Sequence, residues 1–273
     1  MTGDAGLGAG AGLGDPGARA RDPAGPWRAA FAATELDRAS YAEFRDRIVQ
    51  AEAAGVAHRA RRYPGYPTVP LPRPGPRLWP PLDRVLAARR SHRALDEALP
   101  PADALGRLLA LAHGVTASDD RGPVPSSGGL QALELYVVAL GPGWLPAGAY
   151  HYERPAHALT RLAAADEAGA DPAAWREAWR ARVVSMDQFA GGALLWVIVG
   201  DGARVAAKYG PRAVRLLTLE AGHLMQDLCL ASTSLGLATL PLGGFFERDV
   251  ARALLLPRED LVLYVGACGR PRA

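Results

Sequence analysis

Lys208-Tyr209-Gly210-Pro211-Arg212-Ala213-Val214-Arg215-Leu216-Leu217-Thr218-Leu219-Glu220-Ala221-Gly222-His223-Leu224-Met225-Gln226-Asp227-Leu228 is the stretch on which the fold turns. Proline suits a helix opening, where the first-turn N–H has no partner in any case, so a helix is expected from Pro211 to about Leu235. Val214, Leu216, Leu217, Leu219, Leu224, Met225, Leu228 and Leu230 make it apolar on most sides. Such a helix has to be buried, inside a domain or against a partner subunit.

Outward from this helix the pattern is regular. Before it stand an apolar strand, 193–199, a helix at 172–186, a hairpin around Tyr150-His151-Tyr152 and Ala158-Leu159, and a strand at 135–140. Further upstream come helices at 101–113, stopped by Gly114, and at 82–90; after the long helix follow strand 238–242, helix 246–255 and strand 261–268. Helices and strands mix without steady β-α alternation, so the expected class is α+β, not a doubly wound sheet. Eight prolines between positions 64 and 81 force an extended arm. Residues 27–62 read as helix, with capping-box spacing at Ser40-Tyr41-Ala42-Glu43, a stripe of Tyr41, Phe44 and Ile48, and a stop at Gly55. Eight glycines and three prolines in residues 1–26 read as a flexible tail. The expected organisation is therefore a tail at 1–26, a helical and proline-rich extension at 27–81, and one core at 82–273.

Composition narrows the function. The chain has 273 residues, 49% hydrophobic and 22% charged, with a net charge of +3, which gives no nucleic-acid footprint. The longest uncharged stretch, Leu228 to Phe246, carries Ser232, Thr233, Ser234, Pro241 and Gly243-Gly244, so no membrane span is expected. Two cysteines, Cys229 and Cys268, are too few for a disulfide framework and read as core residues in a reducing cytoplasm. Of 31 basic residues only Lys208 is lysine. Composition explains the arginines and not that lysine.

Several motifs fail. Gly200-Asp201-Gly202 resembles the start of a dinucleotide fingerprint, but Val205 stands where a third small residue belongs. Glu220 and His223 have the spacing of a carboxylate di-metal bundle without its second pair, so no metal site is expected and His223 reads as a buried packing residue. What remains is anion-binding and glycine-rich. Arg89-Arg90-Ser91-His92-Arg93 offers guanidinium groups and a hydroxyl suited to a phosphate. Pro125-Ser126-Ser127-Gly128-Gly129 offers hydroxyls and unshielded N–H groups, and Pro241-Leu242-Gly243-Gly244 allows close backbone approach. Gly269-Arg270-Pro271 adds a guanidinium.

These pieces, in this order, together with Tyr150-His151-Tyr152 and the Lys208-Tyr209-Gly210 helix, resemble the SagB-type dehydrogenases of the FMN-dependent nitroreductase superfamily over about residues 64–273. Members oxidise thiazolines and oxazolines in ribosomally made peptides. The resemblance implies a nitroreductase-like fold with a mixed central sheet around a buried helix, an intertwined homodimer, and FMN at its interface. It places Arg89, Ser91, Arg93 and Arg270 on the FMN phosphate and ribityl chain. Ser126, Ser127 and Gly129 would reach the flavin of the other subunit, and the strand end at Pro241, Gly243 and Gly244 would face the ring. It makes Lys208 and Tyr209 the catalytic pair, either one the base, the ammonium being expected to lower the phenol's pKa. The implied partners are an azoline-containing precursor peptide and a cyclodehydratase complex. Two other functions use the same residues: a generic NAD(P)H-dependent nitro or flavin reductase, which has no need of Lys208-Tyr209, and a non-catalytic scaffold subunit.

Overall fold

The computed structural model describes residues 25–76, 79–166, 169, 171–183 and 190–272. The expected tail lies outside these residues except for Gly25 and Pro26, which open the first helix.

The centre is a seven-stranded sheet in the order β1-β4-β3-β2-β5-β7-β6. Its strands are β1 (Thr68–Pro70), β2 (Leu133–Ala139), β3 (Gly148–Glu153), β4 (Ala158–Ala164), β5 (Leu194–Asp201), β6 (Ala238–Leu242) and β7 (Asp260–Gly269). The expectation of a mixed sheet is corrected: every strand pair is antiparallel, and the one parallel pairing among the described residues is an isolated bridge, Ala94 to Ala190. The return through α8 (Glu247–Ala253) brings β7 back alongside β6, with Ala238 opposite Gly269 and Leu242 opposite Val265. β6 is an edge strand, which is why Pro241, lacking an N–H, is accommodated opposite Gly266.

Both sheet faces are buried. On β2, Leu133, Leu135 and Val137 enter the core under α4 (Ala102–His113) and α7 (Ala213–Ser234), whereas Tyr136 and Val138 enter the core that holds Trp175 and Trp179 of α5 (Pro172–Arg180). The alternation follows from the two-residue period of a strand. α5 is shorter than expected, and its predicted last residues, 184–186, lie outside the described ones. Asp171 caps it, accepting from the Ala174 N–H at 2.7 Å.

α7 is the expected long helix. Leu217, Ala221, Leu224, Met225 and Leu228 recur at three- and four-residue spacing on its core side. Each fully buried leucine there contributes about 1.5–3 kcal/mol. Its other side is not covered: Val214 and Leu219 are 54% and 57% exposed, and Leu82 and Leu86 of α3 (Leu82–Ala88) are exposed as well. Both cysteines are buried, as expected.

The extension differs from one long helix. It forms α1 (Gly25–Ala32) and α2 (Tyr41–Ala53), and the proline-rich arm contributes β1. Ser40 makes no capping bond to α2; its hydroxyl donates to the Asp37 carboxylate at 2.8 Å. Tyr41 is exposed, not packed. Gly55 does end the helix, taking a left-handed φ of 74° that L side chains resist. Beyond it, Arg61 is ion-paired to buried Asp260, and the Tyr63 and Tyr136 hydroxyls meet at 2.7 Å, which fastens the extension to the sheet.

Candidate active site

The site centres on a short helix absent from the sequence expectations, α6 (Gly202–Tyr209). Asp201 caps it, its carboxylate accepting from the Arg204 N–H at 2.9 Å. β5 therefore runs directly into α6, and a dinucleotide-type turn is excluded because β5 pairs antiparallel with both neighbours.

α6 ends in Lys208 and Tyr209. The Lys208 side chain is buried, and its Nζ donates to Glu52 Oε1 at 2.8 Å and lies 5.7 Å from the Tyr209 ring centre. Tyr209 is half-buried and packs against Phe44 of α2, ring centres 6.2 Å apart. Burial raises its phenol above its ordinary value near 10, while Lys208 pulls the other way and is outweighed. The expected lowering by the ammonium is thus reversed in sign: Tyr209 is a protonated hydrogen-bond donor at neutral pH.

The loop carrying Ser126, Ser127 and Gly129 comes to this pair. Residues Ser127–Gly129 form a 3-10 turn in which Gly128 has a φ of 58°. A Cβ on Gly128 would collide with the Tyr209 hydroxyl and stand 3.1 Å from Lys208 Nζ. The turn is pinned from α7: buried Glu220 accepts the Ser127 N–H at 2.6 Å. From α6, Arg204 donates to the Leu130 carbonyl at 3.4 Å. Ser126 Oγ is occupied within the loop, accepting from the Gln131 N–H at 2.8 Å. Glu220 thus anchors the loop; no group of three or more potential metal ligands exists among the described residues. His223, expected to be buried, is exposed.

The arginine group gathers elsewhere. Arg89 follows α3, and the segment after Arg93 is laced to the end of β7: the Asp96 N–H donates to the Arg270 carbonyl at 2.7 Å, and Leu95 bridges Pro271. Ser91, Arg93 and Arg270 are exposed and Arg89 is half-buried. No carboxylate partners Arg89, Arg93 or Arg270 among the described residues, while Arg61, Arg176 and Arg204 are all ion-paired. Unpaired guanidinium groups of this kind suit a phosphate. Gly243 is exposed with open space where a Cβ would point, and Gly244 is half-buried beside it.

No hydrogen bond or ion pair joins the two groups among the described residues. Glu220 marks the loop's position on α7, whereas Arg89 lies by Cys229, where burial pushes the thiol up to about 11 against the pull of that guanidinium. Nine residues of helix separate the two positions by about 13 Å. Of the residues in question, sequence reasoning left out Gly128 and Glu52 and weighed Glu220 only for its metal-ligand spacing with His223. Gly128 lay within the quoted glycine pair, but nothing local marks Glu52 or the loop-anchoring role of Glu220.

The sequence model of the nitroreductase family matches residues 86–270. A protein of Methanocaldococcus jannaschii named as a nitroreductase is 30% identical over 186 residues, 67% of this chain and 88% of that protein. The crystal structure of a protein named as a nitroreductase from Ralstonia eutropha JMP134 has a TM-score of 0.64 at 24% identity, covering 79% of this chain and 95% of that chain. A chain of the E. coli microcin synthetase complex, solved with truncated pro-MccB17 bound, has a TM-score of 0.55 at 17% identity, covering 88% of this chain and 99% of its own.

Proposed function

Because the chain belongs to the nitroreductase family of oxidoreductases, we propose that it is an FMN-dependent azoline dehydrogenase, converting thiazoline or oxazoline rings of a ribosomally made peptide to thiazoles or oxazoles. The observation that carries this reading is the meeting of the chain's only lysine, Lys208, with Tyr209 and the Gly128 turn in one half-buried corner. A generic flavin reductase has no use for a buried amine there. The microcin synthetase chain adds support, since its complex was solved with a truncated pro-MccB17 bound.

FMN, when bound, supplies a two-electron acceptor for hydride leaving the azoline ring. Arg89, Ser91, Arg93 and Arg270 hold its phosphate and ribityl chain, and the open backbone at Pro241, Gly243 and Gly244 receives the ring edge. Ser126, Ser127 and Gly129 complete the site from the second subunit of a homodimer. The separation along α7 supports that division, and exposed Val214, Leu219, Leu82 and Leu86 offer the apolar surface the subunits bury. Lys208 Nζ takes the proton from the azoline carbon. The protonated Tyr209 hydroxyl donates a hydrogen bond to the substrate beside it. A precursor peptide already cyclised by a cyclodehydratase is the matching partner.

Mass spectrometry of a synthetic thiazoline peptide incubated with the FMN-loaded protein tests this. Loss of two hydrogens per ring supports it. No loss, with rapid NADH oxidation in the presence of a nitroarene, would assign the chain to the generic reductases instead.

A further inference from the structure

The extension contributes to the site a residue that lies outside the 86–270 match, and nothing in its own helix accounts for that residue. Glu52 sits in the last turn of α2, where carbonyl dipoles repel a carboxylate; α2 has no basic residue in that turn to offset it. Lys208 sits in the last turn of α6, where a cation is favoured. The two helix ends face each other, and the carboxylate and ammonium meet at 2.8 Å across 156 residues of chain.

Exposure is asymmetric. The Lys208 side chain is 8% exposed and that of Glu52 is 58%, so the carboxylate forms the solvent side of the pair and the amine its buried side. The extension is held against α6 and the start of α7 by more than this contact. Phe44 packs on Tyr209, and the Arg47 guanidinium is 3.2 Å from the Cβ position of Gly210. Arg212 donates to the Thr34 carbonyl at 3.0 Å, Arg215 donates to Thr34 Oγ1 at 2.9 Å, and the Arg215 guanidinium lies 3.9 Å from the Phe31 ring centre.

We propose that Glu52 is a positioning residue for Lys208, fixing Nζ between the Gly128 turn and Tyr209, so that the N-terminal extension is a working part of the catalytic site. This rests on Lys208 being the base of the proposed reaction. The four-carbon lysine stem has free rotamers that the bond removes. The ionisable groups that act on the neighbouring Tyr209 hydroxyl are Lys208, Glu52 from α2 and Glu220 from α7, with Arg47 of α2 beside Gly210. Glu52 is the one bonded to Lys208 Nζ.

The single lysine makes the test direct. The full-length protein and its Glu52→Gln and Glu52→Asp variants are acylated with acetic anhydride, and Lys208 modification is followed by peptide mass mapping apart from the N-terminal amine. Glu52→Gln, which keeps the shape and loses the charge, should raise the Lys208 acylation rate about 3- to 10-fold with an unchanged melting midpoint, and Glu52→Asp should restore much of the wild-type rate. With the thiazoline peptide, kcat should fall in Glu52→Gln with little change in KM, and Glu52→Asp should recover part of it. An acylation rate equal to wild type in Glu52→Gln would overturn the proposal. Acylation that rises as expected while Lys208→Ala still forms azoles would leave Glu52 as the residue fixing Lys208 and remove Lys208 as the base, so the two failures are told apart.

Discussion

The buried carboxylate of Glu220 accepts the backbone N–H of Ser127 at 2.6 Å, joining the middle of the long helix to a turn 93 residues earlier in the chain. Without that acceptor the N–H is stranded, at a cost of about 1–3 kcal/mol. Glu220→Ala should lower the melting temperature by several degrees and weaken FMN binding, whereas Glu220→Gln, whose amide oxygen can still accept, should lose about half as much. Calorimetry with and without FMN decides it, and equal losses in the two variants would mean that the turn is held by other contacts.

Gly128 is required twice, by its left-handed backbone and by the Tyr209 hydroxyl standing where its Cβ would be. A left-handed non-glycine residue costs about 1–2 kcal/mol before any displacement of Tyr209. Gly128→Ala should therefore cut azole formation about tenfold or more while FMN still binds. Turnover measured alongside flavin absorbance separates the two effects.

Arg93 and Arg270 have no carboxylate partner among the described residues, so their removal leaves no buried charge behind. Charged hydrogen bonds contribute about 1.5–3 kcal/mol, so Arg93→Ala should raise the FMN dissociation constant about 10- to 100-fold. Arg93→Lys should fall between, keeping charge without the planar fork. Fluorescence titration reads both, and wild-type affinity in Arg93→Ala would take this residue off the phosphate.

Burial raises the Tyr209 phenol above its value in the unfolded chain. A group with a raised folded pKa adds stability below its unfolded pKa, and that stability is lost as pH rises through the folded one. Urea titrations from pH 9 upward should show stability falling more steeply in the wild type than in Tyr209→Phe, beginning near pH 10. Tyr136 and Tyr152 shift in the same direction and remain in both proteins, so the difference isolates Tyr209.

Arg61 fastens the extension to buried Asp260. Removing one partner of a buried pair costs about 3–5 kcal/mol, because the other charge stays behind. Arg61→Ala should lower the melting temperature and open residues 53–63 to limited proteolysis. Resistance equal to wild type would place the attachment in the Phe31, Thr34 and Phe44 contacts instead.

The core elements were legible because their apolar periods are strong. β6 falls where expected, and α7 and β7 agree within about two residues. α6 went unread because Gly200-Asp201-Gly202 invites a nucleotide-loop reading, although Asp201 three residues before Arg204 is an ordinary helix cap. β1 is three residues long in a proline-rich arm, too short for a period to show. At the site, the order of the motifs pointed to Lys208, Tyr209 and the serine-glycine loop. The parts that place them, Glu220 and Glu52, work through contacts spanning 93 and 156 residues, which no local pattern encodes. The sign of the Tyr209 shift was missed because it depends on burial that only the folded chain reveals.

The most direct measurement is the mass of a thiazoline peptide after incubation with wild-type protein and with Lys208→Ala, both loaded with FMN and exposed to air. The account predicts loss of two hydrogens per ring with wild type and little or none with Lys208→Ala at equal flavin content. Azole formation at the same rate in both proteins would contradict it.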